Sequence, residues 1–245
     1  MKSLEQSERN LYTMIISLTG FMGCGKSSVG RRLSELLCCP FMDLDDVIVE
    51  SAGRSIPEIF KSEGEPAFRQ MELEVLRRMV PKYSRGPLPL RGPLPLAGGG
   101  KMPLPYNRHT SATQVRKCQF RTSVSSPEDN MLVLALGGGA VMTPECAQIV
   151  KEQTFCIYLR ASIETLMEHL EDQTMNRPLL NNSERPDCHF ERAERDEKSA
   201  MRDRITNMMA QRSETYEKTA HIIVDTDGKS IEAIASEIAS KLKLI

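Results

Sequence analysis

Gly20-Phe21-Met22-Gly23-Cys24-Gly25-Lys26-Ser27 is a full G-x-x-x-x-G-K-[ST] sequence, and its surroundings decide the fold. Residues 14–19 (MIISLT) in front of it read as a buried strand, and residues 26–37 behind it carry Val29, Leu33, Leu36 and Leu37 at helical spacing. Strand, glycine turn and helix together let backbone N–H groups wrap phosphate oxygens at the positive end of a helix. In that context Gly23, Cys24, Gly25, Lys26, Ser27 and Ser28 are the candidate ATP-binding residues. Lys26 is placed to reach the β and γ phosphates, and the Ser27 hydroxyl to ligate Mg²⁺. The plain alternative is a chance glycine-rich turn.

Outward from this motif, short apolar runs alternate with helical patterns. Residues 40–42 form a second short strand that ends in Asp43-Leu44-Asp45-Asp46, and helices are predicted over 45–52, 56–62 and 65–80. Residues 131–136 (MLVLAL) read as a third strand, followed at once by Gly137-Gly138-Gly139. Thr143-Pro144-Glu145 opens a helix with an N-cap hydroxyl, Pro at the first position and an acid in the first turn. Strands at 154–159 and 221–225 follow, and Ser162 and Ser230 stand as N-caps before helical patterns. The alternation predicts an α/β protein with a parallel five-stranded sheet, helices on both faces, and the chemistry in loops at the strands' C-terminal ends.

Residues 81–130 break this pattern. They hold eight of the 14 prolines and five of the 15 glycines, and they repeat Arg-Gly-Pro-Leu-Pro-Leu at 85–90 and 91–96. Eight Lys and Arg against two acids give the segment a local charge of +6. Such a composition cannot bury a core and predicts a disordered, low-complexity insertion into a single domain spanning 14–245. Gly98-Gly99-Gly100-Lys101 lies inside it with no strand before it and reads as linker. Residues 1–13 form an N-terminal extension, and the charged stretch at about 172–200 a lid. The chain's net charge is −1, which excludes the field expected of a nucleic-acid or anionic-membrane binder. No apolar run reaches membrane-spanning length, no apolar leader opens the chain, and the seven cysteines lack zinc-like or C-x-x-C spacing. A cytoplasmic monomer with small-molecule substrates is the expectation.

Three further groups carry chemistry. Asp43 and Asp45 end a strand on the nucleotide side, where one carboxylate suits the metal and the other a substrate hydroxyl; helix capping is the bland alternative. Arg69 and Glu72, in Phe68-Arg69-Gln70-Met71-Glu72, share one helix face, as a surface ion pair also would. Gly137, Gly138 and Gly139 leave open space beside the nucleotide, unless they are only a hinge.

Taken in order, G-x-x-x-x-G-K-S, D-x-D, F-R-x-x-E, G-G-G, Arg177-Pro178-Leu179-Leu180 and Arg212-x-x-x-Tyr216 resemble the shikimate kinase family over 14–245, apart from 81–130. The resemblance implies a P-loop NTPase fold of the nucleoside monophosphate kinase kind. It also implies ATP- and Mg²⁺-dependent phosphorylation of shikimate. By it, Lys26, Asp45 and Arg177 are the catalytic residues, with Asp45 accepting the proton and Arg177 stabilising the transferring phosphoryl group. Asp45, Arg69, Gly137, Gly138, Gly139 and Arg212 would bind shikimate, with Arg204 competing for the role of Arg212. Ser27 and Asp43 would hold Mg²⁺, Phe60 and Phe68 would wall the pocket, and the base would lean near Lys229. A related P-loop kinase of gluconate or a nucleoside monophosphate, or a non-catalytic binding protein on this scaffold, are the alternatives.

Because loop-closure entropy grows slowly with length, the insertion is expected to be dispensable. Replacing residues 81–130 with a short glycine-containing turn should leave thermal stability and kinase activity unchanged. A large loss of kcat in that variant would show that the segment belongs to the working enzyme.

Overall fold

Residues 14–19 are mostly apolar, as suits a strand covered on both faces. Strand β1 (Met14–Thr19) lies at the centre of a five-stranded parallel sheet, and from Ile15 onward every residue of it is buried. The computed structural model describes residues 14–83, 131–171 and 190–243. The remaining strands are β2 (Phe41–Asp43), β3 (Met131–Ala135), β4 (Phe155–Arg160) and β5 (Ile222–Asp225), in the order β2-β3-β1-β4-β5. Ile16 of β1 pairs with Val133 on one side and Phe155 on the other. The five-stranded parallel sheet expected from the sequence is the one that forms.

The two-residue period of the strands sorts their side chains into two cores. On one face Ile15, Leu132, Leu134 and Tyr158 meet α2 (Leu44–Ala52), α3 (Ile56–Tyr83) and α4 (Pro144–Gln153). On the other, Ile16, Leu18, Val133 and Ile157 meet α1 (Lys26–Leu36), α5 (Ile163–Glu171) and α7 (Ile231–Lys243). Helix α6 (Phe190–Thr219) serves both, sending Tyr216 to the first core and Ile205 to the second. Buried Ser17 is satisfied by Thr154, their hydroxyls 2.7 Å apart, and Thr154 in turn donates to the Val150 carbonyl. No helix among the described residues is long and apolar enough to cross a membrane.

Local signals mostly act where they were read. Ser162 and Ser230 accept from the N–H groups of Thr165 and Ala233, three residues on, as N-caps do. The expected gap between helices at 56–62 and 65–80 appears as one non-helical residue, Gly64, inside α3. Thr143 is a correction: it occupies the N-cap position of α4, but its hydroxyl makes no capping bond, and Pro144 and Glu145 supply the start. A second correction concerns the insertion's edge. Helix α3 continues through Tyr83, because the apolar stripe that includes Leu76, Met79 and Val80 keeps it packed on the sheet. The excision proposed above is therefore better begun after Tyr83. Residues 190–200 of the expected lid are helical, as part of α6. Residues 1–13, the expected insertion from 84 on, and 172–189 of the lid lie outside the described residues.

Gly20 has a φ of +147°, and a Cβ there would lie 2.6 Å from the Leu159 carbonyl oxygen of β4 and 2.8 Å from Cys24 Sγ. Backbone in a neighbouring strand cannot move away cheaply. Gly20→Ala is thus expected to lower stability by about 2–4 kcal/mol, measured by chemical denaturation. An unchanged midpoint would show that the loop, rather than the strand, absorbs the methyl group.

Candidate active site

Glycine turns end β1 and β3, and Asp43 ends β2, so three neighbouring strands deliver their C-termini to one place. Lys26, the first residue of α1, folds across its own loop, donating to the carbonyls of Gly20 at 3.0 Å and Phe21 at 2.9 Å. Ser27 Oγ donates to Asp43 Oδ2 at 2.6 Å, so the P-loop and the end of β2 are joined directly. The other Asp43 oxygen accepts from the Asp45 N–H at 3.1 Å and caps α2. Helix capping and the link to the P-loop are thus both true, one per oxygen.

Beyond Asp43, Asp45 is half-buried and Glu72 fully buried, whereas Asp46 is exposed. Asp45 Oδ1 and Glu72 Oε1 are both enclosed with no hydrogen-bond partner. They converge on Gly137, where a Cβ would stand 2.6 Å from Glu72 Oε1 and 2.9 Å from Asp45 Oδ1. Burial, then the nearby Asp43 charge, pushes the Asp45 carboxyl up to about 6, against the pull of Lys26. Burial likewise pushes Glu72 up to about 7, although its Arg69 partner draws it down.

Arg69 and Glu72 are not the surface pair that spacing alone would allow. Glu72 is wholly buried, and its Oε2 accepts from Arg69 Nη1 at 2.7 Å. Arg69 Nη2 donates to Glu65, also at 2.7 Å. The guanidinium lies so close to Gly139 that a Cβ there would come within 2.3 Å of Nη2. Phe68 is buried with its ring 5.0 Å from that of Phe60, and Arg69 stands over the Phe68 ring.

Gly138, between them, abuts the P-loop: a Cβ on it would stand 3.2 Å from the Met22 amide nitrogen. Its carbonyl accepts from the hydroxyl of Tyr216, which is fully buried and stacked on Tyr158. Arg212, one helical turn earlier, places its positive charge near the Tyr216 hydroxyl, and its guanidinium lies 6.0 Å over the Phe21 ring of the P-loop. Arg212 thus stands beside the P-loop, whereas Arg204 is exposed further up the helix.

Gly23, Cys24, Gly25, Lys26, Ser27, Asp43, Asp45, Arg69, Gly137, Gly138, Gly139 and Arg212 thus gather around one crevice. Ser28 is exposed on α1. Lys229 stands beyond β5, with its ammonium 2.7 Å from Glu237. Arg177 lies outside the described residues. The sequence reading missed how deeply Glu72 is buried and what the Tyr216 hydroxyl does. No local pattern signals the latter, because the Gly138 carbonyl lies 78 residues away in sequence. Among the described residues, no group of three or more His, Cys, Asp and Glu could hold a metal by itself.

A family model described as shikimate kinase matches residues 22–85 and 114–243. A shikimate kinase of Thermus thermophilus is 33% identical over 227 residues, covering 93% of this chain and 89% of that protein. One of Dictyoglomus turgidum is 30% identical over 230 residues, covering 93% and 96%. Among solved structures, a shikimate kinase from Acinetobacter baumannii in complex with shikimate superposes with a TM-score of 0.65 at 24% identity, covering 96% of this chain and 95% of that one. The enzyme from Aquifex aeolicus gives 0.57 at 25%, covering 94% and 96%.

The raised Asp45 carboxyl has a consequence for stability. Its folded value of about 6 exceeds the usual 3.8, so ionising it costs the folded state; the cost grows from about pH 4 to pH 6 and is full above. Without nucleotide or metal, Asp45→Asn is expected to be more stable than wild type at pH 8, by on the order of 2–3 kcal/mol. The advantage should vanish at pH 4. Equal denaturation midpoints at pH 8 would show that Asp45 is better solvated than its burial implies.

Proposed function

The chain belongs to the shikimate kinase family, and we propose that the residues gathered around Gly137–Gly139 are those with which it works. The enzyme transfers the γ-phosphoryl group of ATP to a hydroxyl of shikimate, giving 3-phosphoshikimate and ADP. The transition state of such a transfer is loose, so positioning and charge neutralisation contribute more than a strong base.

In this reading the ATP phosphates lie against the N–H groups of Gly23, Cys24, Gly25, Lys26, Ser27 and Ser28. Lys26 turns its ammonium from the loop carbonyls to the β and γ phosphates. Arg177 is assigned the second cation on the transferring group, and Lys229 flanks the base with its ammonium held by Glu237. Arg69 and Arg212 clamp the shikimate carboxylate through charge-assisted hydrogen bonds. Glu72 and Glu65 hold the Arg69 guanidinium from behind. The unpartnered Asp45 oxygen accepts the attacking hydroxyl and then its proton. With its carboxyl near 6, Asp45 is ionised at neutral pH and yet a better base than an exposed aspartate.

Mg²⁺ fits the pair Ser27 and Asp43. A hydroxyl and a carboxylate, already 2.6 Å apart, are the hard-oxygen donors that this ion takes when it is shared with substrate phosphates rather than caged by protein. When bound, it would neutralise charge on the β and γ phosphate oxygens. The proposal includes a cytoplasmic monomer.

One observation carries the assignment: a single turn, Gly137–Gly139, touches the acid pair, the P-loop and Arg69 at three successive residues. ADP release measured side by side with shikimate, gluconate and AMP is expected to respond to shikimate alone. Arg69→Ala and Arg212→Ala should each raise KM for shikimate roughly 10- to 100-fold, the worth of one charged hydrogen bond. ATP affinity without shikimate should stay unchanged. Turnover of gluconate or AMP at comparable rates, or arginine variants with unaltered KM, would overturn the reading.

A further inference from the structure

The last turn of α5 reaches the P-loop from outside. His169 Nδ1 lies 2.8 Å from the Gly23 carbonyl oxygen, across 146 residues of sequence. A carbonyl only accepts, so Nδ1 carries the proton of this bond. The next residue, Leu170, is fully buried and packs on the same glycine, where a Cβ would stand 3.0 Å from Leu170 Cγ.

Gly23 adopts a φ of +84°, and the peptide planes beside a glycine turn at little cost. Something must therefore set their direction. In a trans peptide the carbonyl and the following N–H point opposite ways. With the Gly23 carbonyl held outward by His169, the Cys24 N–H is turned into the loop, where it now approaches the Phe21 carbonyl at 3.3 Å. A second side chain that braces the loop carbonyls is Lys26, bonded to those of Gly20 and Phe21. That ammonium is the group assigned to phosphate, so its hold on the loop weakens when ATP arrives. His169 braces the loop from behind and does not compete for the ligand.

We propose that His169 is a positioning residue for ATP, fixing the P-loop in its phosphate-binding orientation through the Gly23 carbonyl. The inference rests on the reading of 20–27 as the nucleotide site and is independent of the second substrate. His169 is exposed, and Leu170 supplies the packing at this contact, so the bond adds little to global stability.

The test compares wild type, His169→Ala and His169→Asn, the last because Asn Nδ2 occupies the place of His Nδ1. ADP affinity is measured by calorimetry with no shikimate present, then KM and kcat for both substrates, then the melting temperature. His169→Ala should weaken ADP binding and raise KM for ATP, each roughly three- to tenfold, the effect of one lost hydrogen bond. KM for shikimate and the melting temperature should not move, and His169→Asn should recover most of the loss. Wild-type ADP affinity in His169→Ala, an equal rise in KM for shikimate, or an Asn variant as impaired as Ala would each overturn the proposal. A wild-type protein that binds no ADP would overturn the nucleotide site beneath it.

Discussion

The turn at Gly137–Gly139 imposes the constraint on which the site depends: at three residues in a row, other parts of the site stand close to where a side chain would begin. Two carboxylate oxygens meet the first, the Met22 amide meets the second, and a guanidinium meets the third. A Cβ at 137 or 139 would displace the acid pair or the Arg69 guanidinium, and one at 138 would press on the P-loop backbone. Because β3 lies between β1 and β2, its C-terminal turn is also placed to touch both the P-loop and the Asp43–Asp46 segment. Strand order and lack of side chains together assemble the crevice.

Electrostatics then give the crevice its character at a cost in stability. Asp43, Asp45 and Glu72 crowd into a partly desolvated space, and the two deeper ones keep an oxygen with no protein partner. A fold selected for stability alone would pair or replace those groups. Buried acceptors facing a glycine turn instead suit a ligand rich in hydroxyls. The cations are held by rule rather than by chance. Arg69 is fixed by two carboxylates and Lys26 by carbonyls of its own loop, and Arg212 stands over the Phe21 ring.

Tyr216 and His169 play parallel parts on the two sides of the P-loop. Each donates to a glycine carbonyl, Gly138 and Gly23 respectively, and each sits on a helix that packs against the sheet. The glycine segments must be bare to approach phosphate and substrate. Their conformation is therefore set from behind by side chains of other elements, which transmit the rigidity of the helices to the loops.

Much of this was legible in the residues alone. The run at 14–19, the motif at 20–27 and the alternation of apolar strands with helical stripes determined a parallel α/β sheet, because period and glycine chemistry are local properties of the chain. The order of motifs through Arg212 identified the family for the same reason. Sequence could not tell a surface Arg69–Glu72 pair from one with a buried acid, since three-residue spacing on a helix is common to both. It could not order the strands β2-β3-β1-β4-β5, say which of Arg204 and Arg212 lies beside the P-loop, or say whether the Thr143 hydroxyl caps its helix. Nor did it announce that Tyr216 reaches Gly138 or that His169 reaches Gly23, contacts across 78 and 146 residues. Burial and hydrogen-bond partnership depend on which distant surfaces are pressed together, and that is decided only when the helices close over the sheet.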